Sequence, residues 1–209
     1  RQMCIRDSFS ALQSVTIPDS VTSIGSSAFS GCSALQSVTI PDSVMSIGTS
    51  AFQSCSNLQS VTLPTNVNFT SIGDSVFQSC SALQSVNIPD SVTSIGGSAF
   101  QSCSQLQSVT IPDSVTIIGL GAFMGCSALR SVFIGTGVTM ISAYTFAYCS
   151  TLEAVNLGNN MGNSTLVSIG SYAFAYVPNL KSFSIPPSVT NINSIAVSYT
   201  HLRAHETRS

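Results

Sequence analysis

Apolar residues return along the chain at a fixed long interval. The leucines that open each unit are Leu12, Leu35, Leu58, Leu83, Leu106, Leu129, Leu152 and Leu180, with spacings of 23, 23, 25, 23, 23, 23 and 28 residues. Each unit repeats the same inward set, in the first copy Leu12, Val15, Ile17, Val21, Ile24, Ala28, Phe29 and Cys32. Phenylalanine holds one column throughout, as Phe29, Phe52, Phe77, Phe100, Phe123, Phe146 and Phe174. A period in this range marks a solenoid, because one unit cannot enclose its own apolar side chains and neighbours must stack on it.

Within the unit, Leu-x-x-Val-x-Ile ends in period two and is β-branched, which predicts a short strand with Val and Ile inward. Pro18, Pro41, Pro64, Pro89, Pro112 and Pro186 follow the strand. They lack an N–H, so the strand ends and the chain turns. Asp-Ser after Pro is expected to cap that turn with its own side chains. Val-x-x-Ile-Gly predicts a second inward edge, with Gly freeing the backbone for a bend. The Phe-to-Cys spacing in Ser-x-Ala-Phe-x-x-Cys predicts a single helical turn. The fold class is therefore a mainly β repeat solenoid with one parallel sheet. Copy three gains residues around Asn66–Thr70 and copy seven in 158–166, and both insertions are expected to bulge as loops.

The pattern Leu-x-x-Val-x-Ile-Pro-x-x-Val-x-x-Ile-Gly-x-x-Ala-Phe-x-x-Cys closely resembles the BspA-like (Treponema pallidum type) leucine-rich repeat. The resemblance covers about nine tenths of the chain. It implies a right-handed coil with a parallel concave sheet and short turns or single helical turns on the convex side. It also implies a cell-surface or secreted protein, in some members an adhesin.

The two ends read differently. Residues 3–7 are Met-Cys-Ile-Arg-Asp and residues 197–201 are Val-Ser-Tyr-Thr-His. Written as ATG TGT ATA AGA GAC, the first has a reverse complement that translates as the second. Residues 1–8 and 197–209 are therefore expected to be translated adapter sequence, leaving 9–196 as a solenoid of about eight units cut inside a repeat at both ends. Such ends would expose strand edges and apolar rows, which predicts end-to-end self-association.

That division changes the chemistry. Both histidines, His201 and His205, lie in the tail, so residues 9–196 contain no imidazole. Without an adjacent base, Ser and Cys nucleophiles are not activated, and the dyad and triad readings fail. Asp19, Asp42, Asp90 and Asp113 share one turn column rather than facing each other as glycosidase carboxylates do. Cys32, Cys55, Cys80, Cys103, Cys126 and Cys149 also form a column, with Val177 next in it. Packing as small buried hydrophobes accounts for them. Parallel side chains suit disulfides poorly, and the zinc spacing is missing. No catalytic residue, cofactor or metal ligand is expected. A net charge of -2 with 7% charged residues argues against nucleic acid, and there is no apolar run of membrane-spanning length.

Candidate binding residues come from where the repeat changes. After five copies with Gln behind the anchor Leu, the position becomes Arg130, Glu153 and Lys181, a plus-minus-plus row. The outward strand positions are hydroxyl-rich, among them Ser108, Thr110 and Ser131, but Phe133 places an apolar ring there and Asn156 follows it. Tyr144, Tyr148, Tyr172 and Tyr176 replace Ser or Gly columns. Solvated charge and Tyr–Tyr packing explain these residues without a ligand; a contact surface for a protein or glycan partner is the functional reading. Asn68 and Asn163 begin N-x-[ST] sequons, which would be glycosylated only in a secreted eukaryotic protein. The leading expectation is a non-enzymatic binding or adhesion module. A structural spacer or stalk is the alternative, and an ice-binding solenoid a minor one, since regular hydroxyl columns could face ice.

Overall fold

The computed structural model describes residues 10–158, 164–181, 183–193 and 196–198. The chain coils so that every repeat lies on the previous one in register. The first side of the coil carries the predicted strands. Ser37–Thr39 pairs with Ser60–Thr62 and that with Ser85–Val86, while Ser108–Ile111, Ser131–Ile134 and Ala154–Leu157 pair in the same order. All these pairings are parallel, and equivalent residues meet, as in Val132 with Val109 and Val155.

The Ile-Gly edge forms a second parallel sheet. It links Ser71–Ile72, Ser94–Ile95, Ile117–Ile118, Met140–Ile141, Ser168–Ile169 and Asn191–Ile192, with Ser23–Ile24 paired to Ser46–Ile47. A further parallel pair joins Phe174–Ala175 to Val197–Ser198.

Between the sheets runs one continuous interior. Val38, Ile40, Val44, Ile47, Phe52, Cys55 and Leu58 of a single coil are all buried. The phenylalanine column is a stack from Phe29 to Phe174. Phe52 and Phe77 have ring centroids 5.6 Å apart and planes within 12°, and Phe100 and Phe123 lie at 5.2 Å. Phe183 closes it, tilted 44° against Phe174.

The predicted helical turn is absent. Over Ser50–Cys55 the amides alternate. Those of Ser50, Phe52 and Ser54 donate to Asp74, Val76 and Gln78 of the next coil, while those of Ala51, Gln53 and Cys55 donate three residues back in their own coil. A helix would direct every amide along its own axis. Stacking claims half of them, so the segment becomes a chain of tight turns. Those turns need two left-handed residues per coil, four apart. Ser50 and Ser54 have φ of 58° and 60°, Ser98 and Ser102 54° and 60°, and Tyr144 and Tyr148 58° and 61°. Left-handed backbone favours Gly, and in these two columns Gly is found only at Gly31, Gly121 and Gly125.

The glycine of Ile-Gly has a different role from the expected one. Its φ is not left-handed at Gly48, Gly96 or Gly119; instead, a Cβ at Gly119 would lie 2.4 Å from the amide nitrogen of Gly97 in the previous coil. The close approach of two backbones excludes a side chain there. The turn side chains also reach outside their own turn. Asp42 Oδ1 accepts the Thr65 amide at 2.6 Å, Asp113 Oδ1 accepts that of Thr136 at 2.7 Å, and the Ser43 hydroxyl donates to Val21 O at 2.7 Å. They fasten coil to coil instead of capping.

The first insertion is partly core. Phe69, which the repeat places in the column of Val44, is completely buried, while Val67 beside it is 81% exposed. Asn66 shapes the bulge by accepting the amides of Asn68 and Phe69 at its Oδ1 and donating to Asp42 O and Val44 O. In the second insertion, Leu166 is buried in the equivalent position.

The cysteine file is free thiol throughout the described residues. From Cys55 to Cys149 each thiol donates to the carbonyl of the Phe one coil earlier, as from Cys80 to Phe52 at 3.1 Å and from Cys126 to Phe100 at 3.2 Å. Burial pushes the thiols of Cys103 and Cys149 up to about 12 from 9.0. The folded state therefore holds these protons more tightly than the unfolded chain. Their contribution to stability is complete below pH 9 and is lost as pH rises towards 12.

Two outcomes follow. Phe77→Ala should lower unfolding stability by about 3–5 kcal/mol in a denaturant titration, because the stack cannot collapse around the gap. Denaturation midpoints should fall above pH 9, and Cys103→Val/Cys149→Val should flatten that fall; Val177 already occupies this file while 1% exposed.

Candidate functional site

The candidate residues occupy two segments of the coil. On the first sheet, Ser108, Ser131 and Ala154 stand in one outward row, and Thr110, Phe133 and Asn156 in the next. The alternation that buries Val109, Val132 and Val155 turns these residues outward. Phe133 is half-buried between Thr110 and Asn156, so its ring is part packing and part surface.

Next to this sheet the charged row is built by backbone register. The Glu153 amide donates to Arg130 O at 2.8 Å, and the Lys181 amide to Glu153 O at 3.1 Å. Lys181 Nζ and Glu153 Oε2 are 2.5 Å apart, with side-chain exposures of 75% and 42%. Arg130 makes no ion pair among the described residues. The hydrogen bond and charge of Lys181, with a smaller effect of Arg130, hold the Glu153 carboxyl below its usual value. The row is thus one contact pair flanked by Arg130, which acts on Glu153 through its charge.

The tyrosines occupy the left-handed positions of the tight turns. Tyr144 stacks on Tyr172 at 5.1 Å and 7°, and Tyr148 on Tyr176 at 4.6 Å and 8°. Serine in earlier coils already carries the backbone cost of a left-handed residue, about 1 kcal/mol, so that cost does not separate Tyr from Ser. What Tyr adds is two ring stacks, each contributing about 0.5–1.5 kcal/mol, and aromatic surface: Tyr148 is 49% and Tyr176 60% exposed.

Of the two sequon residues, Asn68 is exposed beside the first insertion, and Asn163 lies outside the described residues. A groove of about 520 Å³ next to that insertion, lined by Thr65, Val67, Asn87 and Asp90, contains none of the candidate binding residues.

One set of surface residues escaped the sequence reading. Ile117, Leu120, Met140 and Val167 are 57%, 59%, 45% and 46% exposed. Ile117 and Met140 are register partners on the outward face of the second sheet, in a row that elsewhere reads Ser23, Ser46, Ser71, Ser94, Ser168 and Asn191. That interruption of a serine column is visible in the sequence once the second sheet's facing is known.

No group of three or more metal-ligating side chains is assembled among the described residues, and no helix there is long and apolar enough to cross a membrane.

Stacked parallel strands, an interior of repeated Leu, Val, Ile and Phe, and tight turns between them define a leucine-rich-repeat solenoid. The model for the BspA type leucine rich repeat region matches residues 6–103 and 70–203, and the chain belongs to that family. It is similar to the crystal structure of a leucine-rich repeat protein of T. pallidum, with 32% identity and a TM-score of 0.64 over 72% of this chain and 66% of the other. A leucine-rich repeat protein from Bacteroides ovatus is also 32% identical, with a TM-score of 0.60 over 82% of this chain and 49% of that one. One from Eubacterium ventriosum, at 19% identity and a TM-score of 0.51, shares the fold. The chain spans about two thirds of the first of these and about half of the second. No curated protein matches the sequence.

The charge row yields a direct check. In a side-chain NMR titration, Glu153 should lose its proton at lower pH than an isolated glutamate, and Lys181→Met should return it most of the way, because Lys181 is the main cause. An unchanged midpoint in Lys181→Met would contradict the assignment.

Proposed function

We propose that the chain is a non-enzymatic binding module of a cell-surface or secreted protein. It engages a protein or glycan ligand through the coils from Leu129 onward. The observation that carries this reading is selective change. The buried files continue with like residues as far as Val177, whereas the outward columns exchange Thr, Gln, Ser and Gly for Phe133, Arg130, Glu153, Lys181 and four tyrosines. Packing needs do not require those exchanges, since the same backbone is built with serines in earlier coils. Large aromatic residues and Arg are the types that anchor interfaces.

A non-enzymatic reading is supported by the thiols of Cys103 and Cys149, which burial keeps protonated and therefore poor nucleophiles. The uniform early coils favour a spacer role for that part of the chain, with Ser37, Ser60 and Ser85 repeating on one outward row.

An array of purified matrix proteins and glycans tests the proposal, using the full chain and a Phe133→Ala/Tyr148→Ala/Tyr176→Ala variant with matched melting behaviour. The expected result is a bound ligand whose affinity falls about tenfold or more in the variant. Failure to bind any probe, or equal binding by both proteins, would overturn it.

A further inference from the structure

The tyrosine stack on the outer turn column stops abruptly. The column reads Gly31, Ser54, Ser79, Ser102, Gly125, Tyr148, Tyr176. Tyr148 uses one face against Tyr176 at 4.6 Å. On its other side the next position in the file is Gly125. A Cβ built there would meet Ser102 of the coil before at 3.5 Å as its nearest neighbour, with no side chain of the tyrosine coils among its closest atoms. Between Ser102 and Tyr148 there are two coil spacings, roughly 9.6 Å, occupied on this file by a residue with no side chain. That gap accepts one planar ring at the separation the Tyr148–Tyr176 pair already shows.

The surroundings set the chemistry of the ring. Gln53 donates to Gln78 and Gln78 to Gln101, each through Nε2 to Oε1 at 2.7 and 2.9 Å. The ladder ends because Met124 follows, leaving the Gln101 Nε2 without an acceptor among the described residues. No charged residue stands in either of these two files. A neutral setting beside an exposed tyrosine face selects an aromatic ring over a charged group.

We propose that Gly125 and Tyr148 form a stacking slot that takes one aromatic side chain of a protein partner, continuing the Tyr148–Tyr176 stack by one ring. This deepens the binding-module reading and rests on it. A Tyr or Trp side chain enters along the file, its face against Tyr148.

The chain contains no tryptophan, so N-acetyl-tryptophanamide is a distinct probe. In an NMR titration of the full chain, the ring protons of Tyr148 should move upfield with added probe, while those of Tyr172 should not. Gly125→Ser, which places in this column the residue found at Ser54, Ser79 and Ser102, should keep the fold and weaken the effect about threefold or more. Methyl glucoside at equal concentration should leave Tyr148 in place. Equal shifts at all tyrosines, no shift at Tyr148, no loss in Gly125→Ser, or a larger response to the sugar would each overturn the proposal. If Gly125→Ser still binds a ligand found on the array as tightly as the parent, the slot is wrong and the binding-module reading stands. If no array ligand is found, that reading fails whatever the Tyr148 resonances do.

Discussion

The structure depends on one interaction repeated along its axis: each coil satisfies its backbone and its core against the equivalent residues of the next. A single coil has too few apolar neighbours to bury Phe52 or Leu58. Its turn amides are also divided, with Ser50, Phe52 and Ser54 bonded only to the following coil. Neither the phenylalanine stack nor the tight turns exist without that neighbour. The same constraint explains small features that look unrelated. A Cβ at Gly119 would strike the preceding backbone, Asp42 and Asp113 reach a coil away, and the thiols from Cys55 to Cys149 each donate a hydrogen bond to a phenylalanine carbonyl one coil earlier.

Register also creates the surface. Because like positions fall into files, a substitution in one coil is placed next to its counterpart in the following coil. Arg130, Glu153 and Lys181 become a row, and four tyrosines become two stacks. A sequence that varies only its outward columns can thus write a patterned surface on a constant interior. The coils from Leu129 to Val177 do this while their interior remains closed. Interaction surfaces of repeat proteins are built in this way from many shallow positions instead of one deep pocket.

Much of this was legible in the chain. The columns of Leu, Val, Ile, Phe and Cys gave the stacked interior residue by residue, and Phe133 and the tyrosines were placed on outward positions from the repeat alone. What the pattern hid was the backbone between Ala51 and Cys55. Apolar spacing from Phe52 to Cys55 suits a helix, yet spacing carries no information about which amides a neighbouring coil will claim. The left-handed serines were hidden for the same reason, since Ser54 is not a residue type that announces a positive φ. Phe69 was read as part of a loop because the insertion shifted its column; aligning from Ile72 backwards instead of from Leu58 forwards recovers its place beside Val44. Ile117 and Met140 stand in the outward column one residue before the inward Ile118 and Ile141, where an apolar residue looks like part of the edge's own core pattern.

Amide hydrogen exchange of the intact chain tests the coupling between coils most directly. The account requires the amides of Phe52, Phe77, Phe100 and Phe123, which donate to the following coil, to be as protected as those of the first sheet and to exchange together with them. Rapid exchange at these phenylalanines while Val109 and Val132 stay protected would mean that the turns are held within each coil, and the shared interior would not be what holds the fold.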